Sequence, residues 1–215
     1  MTPPQLKICG LRDPGQAAEV ASLGVDAIGV IGVPGSPRFL EAGQRQALFG
    51  AMRAASPACL GVLVVADPDD QRLPELQPDR GHDVVQLHGG ESPERCHQLR
   101  ERLGGLLWKA LRIRSREDLQ RAAAYAPVVD ALLLDAWVPD QLGGTGQPIP
   151  IEWLEGFEPP LPWWLAGGIC ADRVPPLLAR LSPSGLDASS GVERSPGDKD
   201  LERVAALVAA VRAAG

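Results

Sequence analysis

Ala131-Leu132-Leu133-Leu134-Asp135 is an unbroken apolar run closed by a carboxylate. A half-exposed strand alternates apolar and polar residues, whereas a short continuous run suits a strand covered on both faces, as in the parallel sheets of α/β proteins. Seven further short runs, most of them continuous and apolar, join it to predict strands at residues 6–9, 27–31, 59–65, 84–87, 106–111, 131–134, 163–166 and 186–188. Between them, helical spacing predicts helices at 13–23, 41–55, 92–103, 115–125, 171–181 and 200–213. The last is the plainest, with Leu201, Val204, Val208 and Val211 on one stripe. Ser92-Pro93 has the form of an N-cap followed by proline at the first helical position, and Ser115 with Asp118 resembles an acidic capping box. Two links are poor helices: 68–80 holds three prolines and 139–162 holds six, with Trp153 and Leu154 as one turn at most. Regular β/α alternation over this length predicts a single (β/α)8 TIM barrel with short loops, one domain over residues 1–215. An open doubly wound sheet stays as the alternative, because pattern alone does not show closure.

Composition fits this expectation and excludes several partners. The 215 residues include 24 Gly and 21 Pro, yet 45% are apolar and 22% charged, the balance of a folded domain in which Gly and Pro punctuate structure. With 21 basic against 27 acidic residues the net charge is −6, and no basic run is present, so no nucleic-acid or anionic-membrane surface is expected. No stretch approaches the roughly 18 apolar residues of a membrane span, and residues 1–4 lack a basic segment followed by an apolar one. A soluble, cytoplasmic protein is expected. Cys9, Cys59, Cys96 and Cys170 are scattered without a CxxC pair, which favours a reduced setting over disulfides or zinc.

In parallel α/β folds reactive groups collect where strands end. Lys7 and Cys9 are two apart, so on a strand they share a face, and a buried ammonium beside a thiol favours thiolate. Cys9 is a candidate base or nucleophile, with a merely buried cysteine as the alternative. Asp135 ends its apolar run and is a candidate general acid, or else a loop cap. Gly143-Gly144-Thr145-Gly146, Gly167-Gly168 and Ser189-Ser190-Gly191 follow strands six, seven and eight, where bare backbone N–H groups can cradle a phosphate. Arg38, held behind Pro37, can clamp a carboxylate. Gln86 and His88 share a face of strand four, and no second ligand stands at metal spacing from His88, so no metal is expected. Lys109 fits either an interior ion pair or a snorkelling surface position.

The ordered set KICG (7–10), GSPRF (35–39), VVQLHG (84–89), LLLD (132–135), GGTG (143–146), LAGGI (165–169) and DASSGVE (187–193) resembles the phosphoribosylanthranilate isomerase family over essentially the whole chain. The resemblance implies a (β/α)8 barrel and the Amadori rearrangement of a phosphoribosyl anthranilate in tryptophan biosynthesis, without cofactor or metal. It implies Cys9 as general base, Asp135 as general acid, Arg38 at the anthranilate end, and the backbone of the three glycine-rich loops at the phosphate of a small phosphosugar. Two departures stand out: residues 33–38 read VPGSPR where the family is often more aromatic and carries a Lys, and Trp137 follows Asp135 where a small polar residue is common. Trp137 either packs on the substrate ring or shields the loop. An indole-glycerol-phosphate synthase-like enzyme would need Lys7 or Lys109 as its catalytic lysine, and a non-catalytic phosphosugar-binding subunit would keep the glycine loops alone. Both a monomer and a homodimer are compatible with the sequence.

Overall fold

The computed structural model describes residues 3–138 and 146–214. Eight parallel strands close into a barrel in chain order: β1 (Gln5–Cys9), β2 (Ala27–Ile31), β3 (Leu60–Val65), β4 (Val84–Leu87), β5 (Leu106–Ile113), β6 (Ala131–Ala136), β7 (Trp163–Leu165) and β8 (Gly185–Ala188). Closure is set by β1 pairing with β8, where Lys7 lies opposite Asp187. The open-sheet alternative is thereby excluded.

The continuous apolar runs serve two cores at once. Leu6, Ile8, Ile28, Val30, Leu63, Val85, Leu132 and Leu134 face outward to the helices. Cys9, Ala27, Val62, Val84, Ala110, Ala131 and Leu133 face inward with Trp108 and Trp164. The two indoles meet with ring centroids 4.8 Å apart and fill the lower barrel, and Gly185 makes room because a Cβ there would strike the Trp164 ring. Two-sided burial is why no strand alternates clearly in sequence.

The outer layer comprises α1 (Pro14–Ser22), α2 (Ala42–Ala55), α3 (Pro93–Arg102), α4 (Ala122–Tyr125), α5 (Ile151–Leu154), α6 (Val174–Leu178) and α7 (Leu201–Arg212). Ser92 caps α3 through the Arg95 N–H with Pro93 at the first turn, as expected. Asp13 and Asp200 cap α1 and α7 in the same way. The expected helix at 171–181 is instead a 3-10 turn, Ala171–Arg173, leading into the five-residue α6, because Pro175 and Pro176 are tolerated only near a helix start. The expected helix at 115–125 is a 3-10 turn, Arg116–Arg121, followed by the single turn α4. Ser115 makes no cap hydrogen bond there; Asp118 turns back to accept from Arg114 N at 2.8 Å and from the Arg114 guanidinium. The proline-rich link after β3 holds only 3-10 turns. One element was not expected from sequence: a short antiparallel hairpin, β9 (Glu193–Ser195) and β10 (Asp198–Lys199), after β8.

Candidate active site

Where the strands end, a cavity of about 610 Å³ is walled by Cys9 from β1, residues 33–38 after β2, Gln86 and His88 from β4, Asp135 from β6, Asp187 from β8, and Gly146, Gly167, Ser189 and Ser190 from the loops. Two depressions of similar size lie beside the strand starts, and the arginines of one of them are already paired, Arg53 with Asp83 and Arg100 with Asp130. Of the five buried side-chain polar atoms that lack a hydrogen-bond partner among the described residues, three belong to residues lining the first cavity, Gln86 Oε1, His88 Nε2 and Asp187 Oδ1, and a fourth, Lys7 Nζ, lies behind it against Asp187. Buried polar groups are ordinarily satisfied, so this concentration marks the place where a polar ligand supplies the partners.

The inward phase of each strand brings the titratable groups together. On β1, Lys7 and Cys9 share the interior face as expected, and Lys7 is fully buried. Its Nζ lies 2.9 Å from Asp187 Oδ2, an ion pair whose alignment leaves the ammonium N–H groups uncommitted. On β2, Gly29 sits opposite Cys9, and a Cβ there would lie 2.6 Å from Cys9 Sγ and 3.0 Å from Lys7 Cε. On the opposite wall, Asp135 accepts the Ala136 N–H through Oδ1 and presents Oδ2 to His88 Nε2 at 3.4 Å. Gln86 Nε2 meets His88 Nδ1 at 3.0 Å.

The glycine-rich loops form one rim. Gly167 and Gly168 have φ of +98° and +61°, the left-handed region that favours glycine. They also lie against backbone: a Cβ at Gly168 would stand 2.6 Å from Gly146 O, and one at Gly167 would strike Gln147 O. Gly191 abuts Ile169 O likewise. The loops after β6, β7 and β8 are thus fitted to one another backbone against backbone, with Ser189 and Ser190 beside them. Gly144, with its neighbours Gly143 and Thr145, falls outside the described residues.

The model of the family described as N-(5'phosphoribosyl)anthranilate (PRA) isomerase matches residues 6–210. The chain belongs to this family. A PRA isomerase of Nostoc punctiforme is 47% identical over 205 residues, covering 94% of this chain and 96% of its own. The crystal structure of the Thermus thermophilus PRA isomerase superposes with a TM-score of 0.83 at 29% identity, covering 97% of this chain and 98% of that one. A PRA isomerase solved in complex with reduced 1-(o-carboxyphenylamino)-1-deoxyribulose 5-phosphate shares the fold, with a TM-score of 0.80 at 24% identity over 98% of this chain and 99% of that one.

Two expectations for the site need adjustment, at Cys9 and Arg38, and the choice left open at Lys109 is settled. Cys9 is not poised as thiolate: burial pushes its pKa up, and Asp187 adds to this, outweighing Lys7 and Lys199, which act in the opposite direction. Burial pushes the Lys7 pKa down, but the adjacent Asp187 carboxylate overcomes this and Lys7 stays protonated. Arg38 is not an unattached clamp, since Nε and Nη2 donate to Glu193 at 2.9 and 2.6 Å. Lys109 is interior, donating to Glu91 at 2.8 Å and to three carbonyls, so this lysine is spent on structure and not offered to the cavity. Trp137 is 40% exposed beyond the end of β6.

Sequence reasoning missed Asp187, Glu193 and Lys199. Asp187 and Glu193 sit inside the DASSGVE stretch. Lys199 follows a Pro196-Gly197 turn signal, which could have revealed the hairpin.

Proposed function

We propose that this chain is an isomerase that converts N-(5-phospho-β-D-ribosyl)anthranilate to 1-(2-carboxyphenylamino)-1-deoxy-D-ribulose 5-phosphate, the third step of tryptophan biosynthesis from chorismate. The observation that carries the assignment to these residues is the placement of Asp135 and Cys9 on opposite walls of one cavity, each backed by its own buried polar partners. Asp135 protonates the ribose ring oxygen, opening the ring to an imine. Cys9 as thiolate removes the C2 proton, and the resulting enolamine tautomerises to the C2 ketone. Oxidation at C2 balances reduction at C1 within one molecule, so proton transfer suffices and no cofactor or metal is invoked.

The substrate's two anionic ends fit the two ends of the site. Its phosphate meets Gly146, Gly167, Gly168, Ser189, Ser190 and Gly191, together with Gly144, and its carboxylate meets Arg38. Lys7 supports the centre of the site, with Gln86 and His88 holding Asp135. The chain acts as one cytoplasmic barrel domain, monomeric or dimeric, on a soluble phosphosugar.

The test is growth. The gene is expected to restore a tryptophan auxotroph lacking this isomerase, and Cys9→Ala and Asp135→Asn are expected to fail, each with kcat lowered by at least about a hundredfold, the scale of general acid–base catalysis. Growth that survives either substitution would sink the mechanism.

A further inference from the structure

Glu193 stands at the junction of three segments that the cavity needs. Its Oε1 accepts from Arg38 Nε at 2.9 Å, Lys199 Nζ at 2.7 Å and Gly197 N at 3.1 Å, while Oε2 accepts from Arg38 Nη2 at 2.6 Å. Lys199 Nζ in turn donates to the carbonyl of Cys9. Glu193, Lys199 and Arg38 are all buried, yet Arg38 reaches the cavity wall.

A guanidinium has two faces that can each take a carboxylate with two parallel hydrogen bonds: the side face of Nε and Nη2, and the end face of Nη1 and Nη2. Glu193 fills the side face. Among the described residues Nη1 makes no hydrogen bond. With its side face fixed, the planar group cannot rotate, and its end face keeps one direction at the cavity.

We infer that Glu193 is the positioning residue of the substrate clamp: it holds Arg38 by one face so that the other receives the substrate carboxylate, and through Lys199 it ties that clamp to the strand end bearing Cys9. This rests on the assignment of Arg38 to the carboxylate end made above.

A double-mutant cycle tests it, using steady-state kinetics on the phosphoribosyl anthranilate, inhibition by inorganic phosphate as a report on the other end of the site, and thermal melts. Arg38→Ala is expected to raise KM roughly tenfold to a hundredfold, the scale of a charge-assisted pair. Glu193→Gln is expected to raise KM by about tenfold, with kcat lowered no more than about threefold and the phosphate inhibition constant unchanged. The double variant is expected to be no worse in KM than Arg38→Ala, because both changes remove one unit. A full additional loss in the double variant, or an unchanged KM in Glu193→Gln, overturns the inference. An unchanged KM in Arg38→Ala overturns the assignment of Arg38 itself, whatever Glu193 does. Should Glu193→Gln fail to fold, Arg38→Lys decides: its ammonium can still pair with Glu193 but has no second face, so KM is expected to rise as in Arg38→Ala with a near-native melt. A wild-type KM in Arg38→Lys overturns the two-face arrangement.

Discussion

His88 Nε2 lies 3.4 Å from Asp135 Oδ2. The Gln86 amide approaches the other ring nitrogen at 3.0 Å, which makes Nδ1 the acceptor and directs the ring proton on Nε2 toward the carboxyl group that we assign as the acid. On the proposed roles, Gln86 orients His88 and so fixes which ring nitrogen faces Asp135. Gln86→Leu keeps the volume but removes this restraint, and is expected to lower kcat by about tenfold, close to the worth of one hydrogen bond, with KM little changed. His88→Ala is expected to lose at least as much. Steady-state kinetics check both, and full kcat in His88→Ala would remove the relay from the mechanism.

A second prediction concerns the resting state of Cys9. Its pKa is raised by burial and by Asp187 against the pull of Lys7, so near neutral pH the free enzyme holds the thiol. A base must be deprotonated to act, so kcat/KM is expected to keep rising with pH through and beyond the ordinary thiol range. It falls at lower pH as Cys9 holds its proton. Alkylation by iodoacetamide at pH 7.5, read by peptide mass spectrometry, is expected to mark the half-buried Cys170 well before Cys9. Rapid labelling of Cys9 at that pH would show that the thiolate is already formed.

Gly29 provides the sharpest steric test. Its Cβ would stand 2.6 Å from Cys9 Sγ, inside a barrel with no slack on that side. Gly29→Ala is expected to cost about 1–3 kcal/mol by overpacking and to lower kcat more than tenfold by displacing Cys9. Chemical denaturation and kcat measured on the same preparation check the pair of effects. Wild-type kcat in Gly29→Ala would show that Cys9 has freedom to move without loss.

Much of this arrangement was legible because the barrel imposes simple rules. Unbroken apolar runs declared two-sided burial, and the two-residue spacing of Lys7 and Cys9, like that of Gln86 and His88, placed each pair on the inner face once closure was known. What sequence could not supply was partnership across strands. Lys7 meets Asp187 only because β1 closes on β8, and this carboxylate adds to the burial that raises the Cys9 pKa against the pull of Lys7. Arg38 and Glu193 are 155 residues apart, and nothing local to either announces a bidentate pair. The helix expected at 171–181 fell short for a local reason that was visible: Pro175 and Pro176 permit a start and deny a continuation.

The Arg38–Glu193–Lys199 cluster also makes a prediction about acid stability. Burial pushes the Glu193 carboxyl up, but the hydrogen bonds from Arg38, the charge and hydrogen bond of Lys199 and the Gly197 N–H together hold it down at about 2, against an ordinary 4.5. A carboxyl whose pKa is lower folded than unfolded adds stability that is fully present above its unfolded value and is lost as pH falls toward its folded one. The window is therefore from about 4.5 down to about 2. A shift of this size corresponds to about 3 kcal/mol for the one group, on the order of a third of the stability of a typical domain. Glu193→Gln has no proton to take up, so its unfolding free energy is expected to depend less steeply on pH across that window than the wild type's, while lying below it near neutral pH. Urea denaturation at half-unit pH steps from 6 to 2.5 measures the difference directly. Parallel curves for the two proteins would mean that Glu193 titrates normally in the fold and that the cluster does not hold its charge.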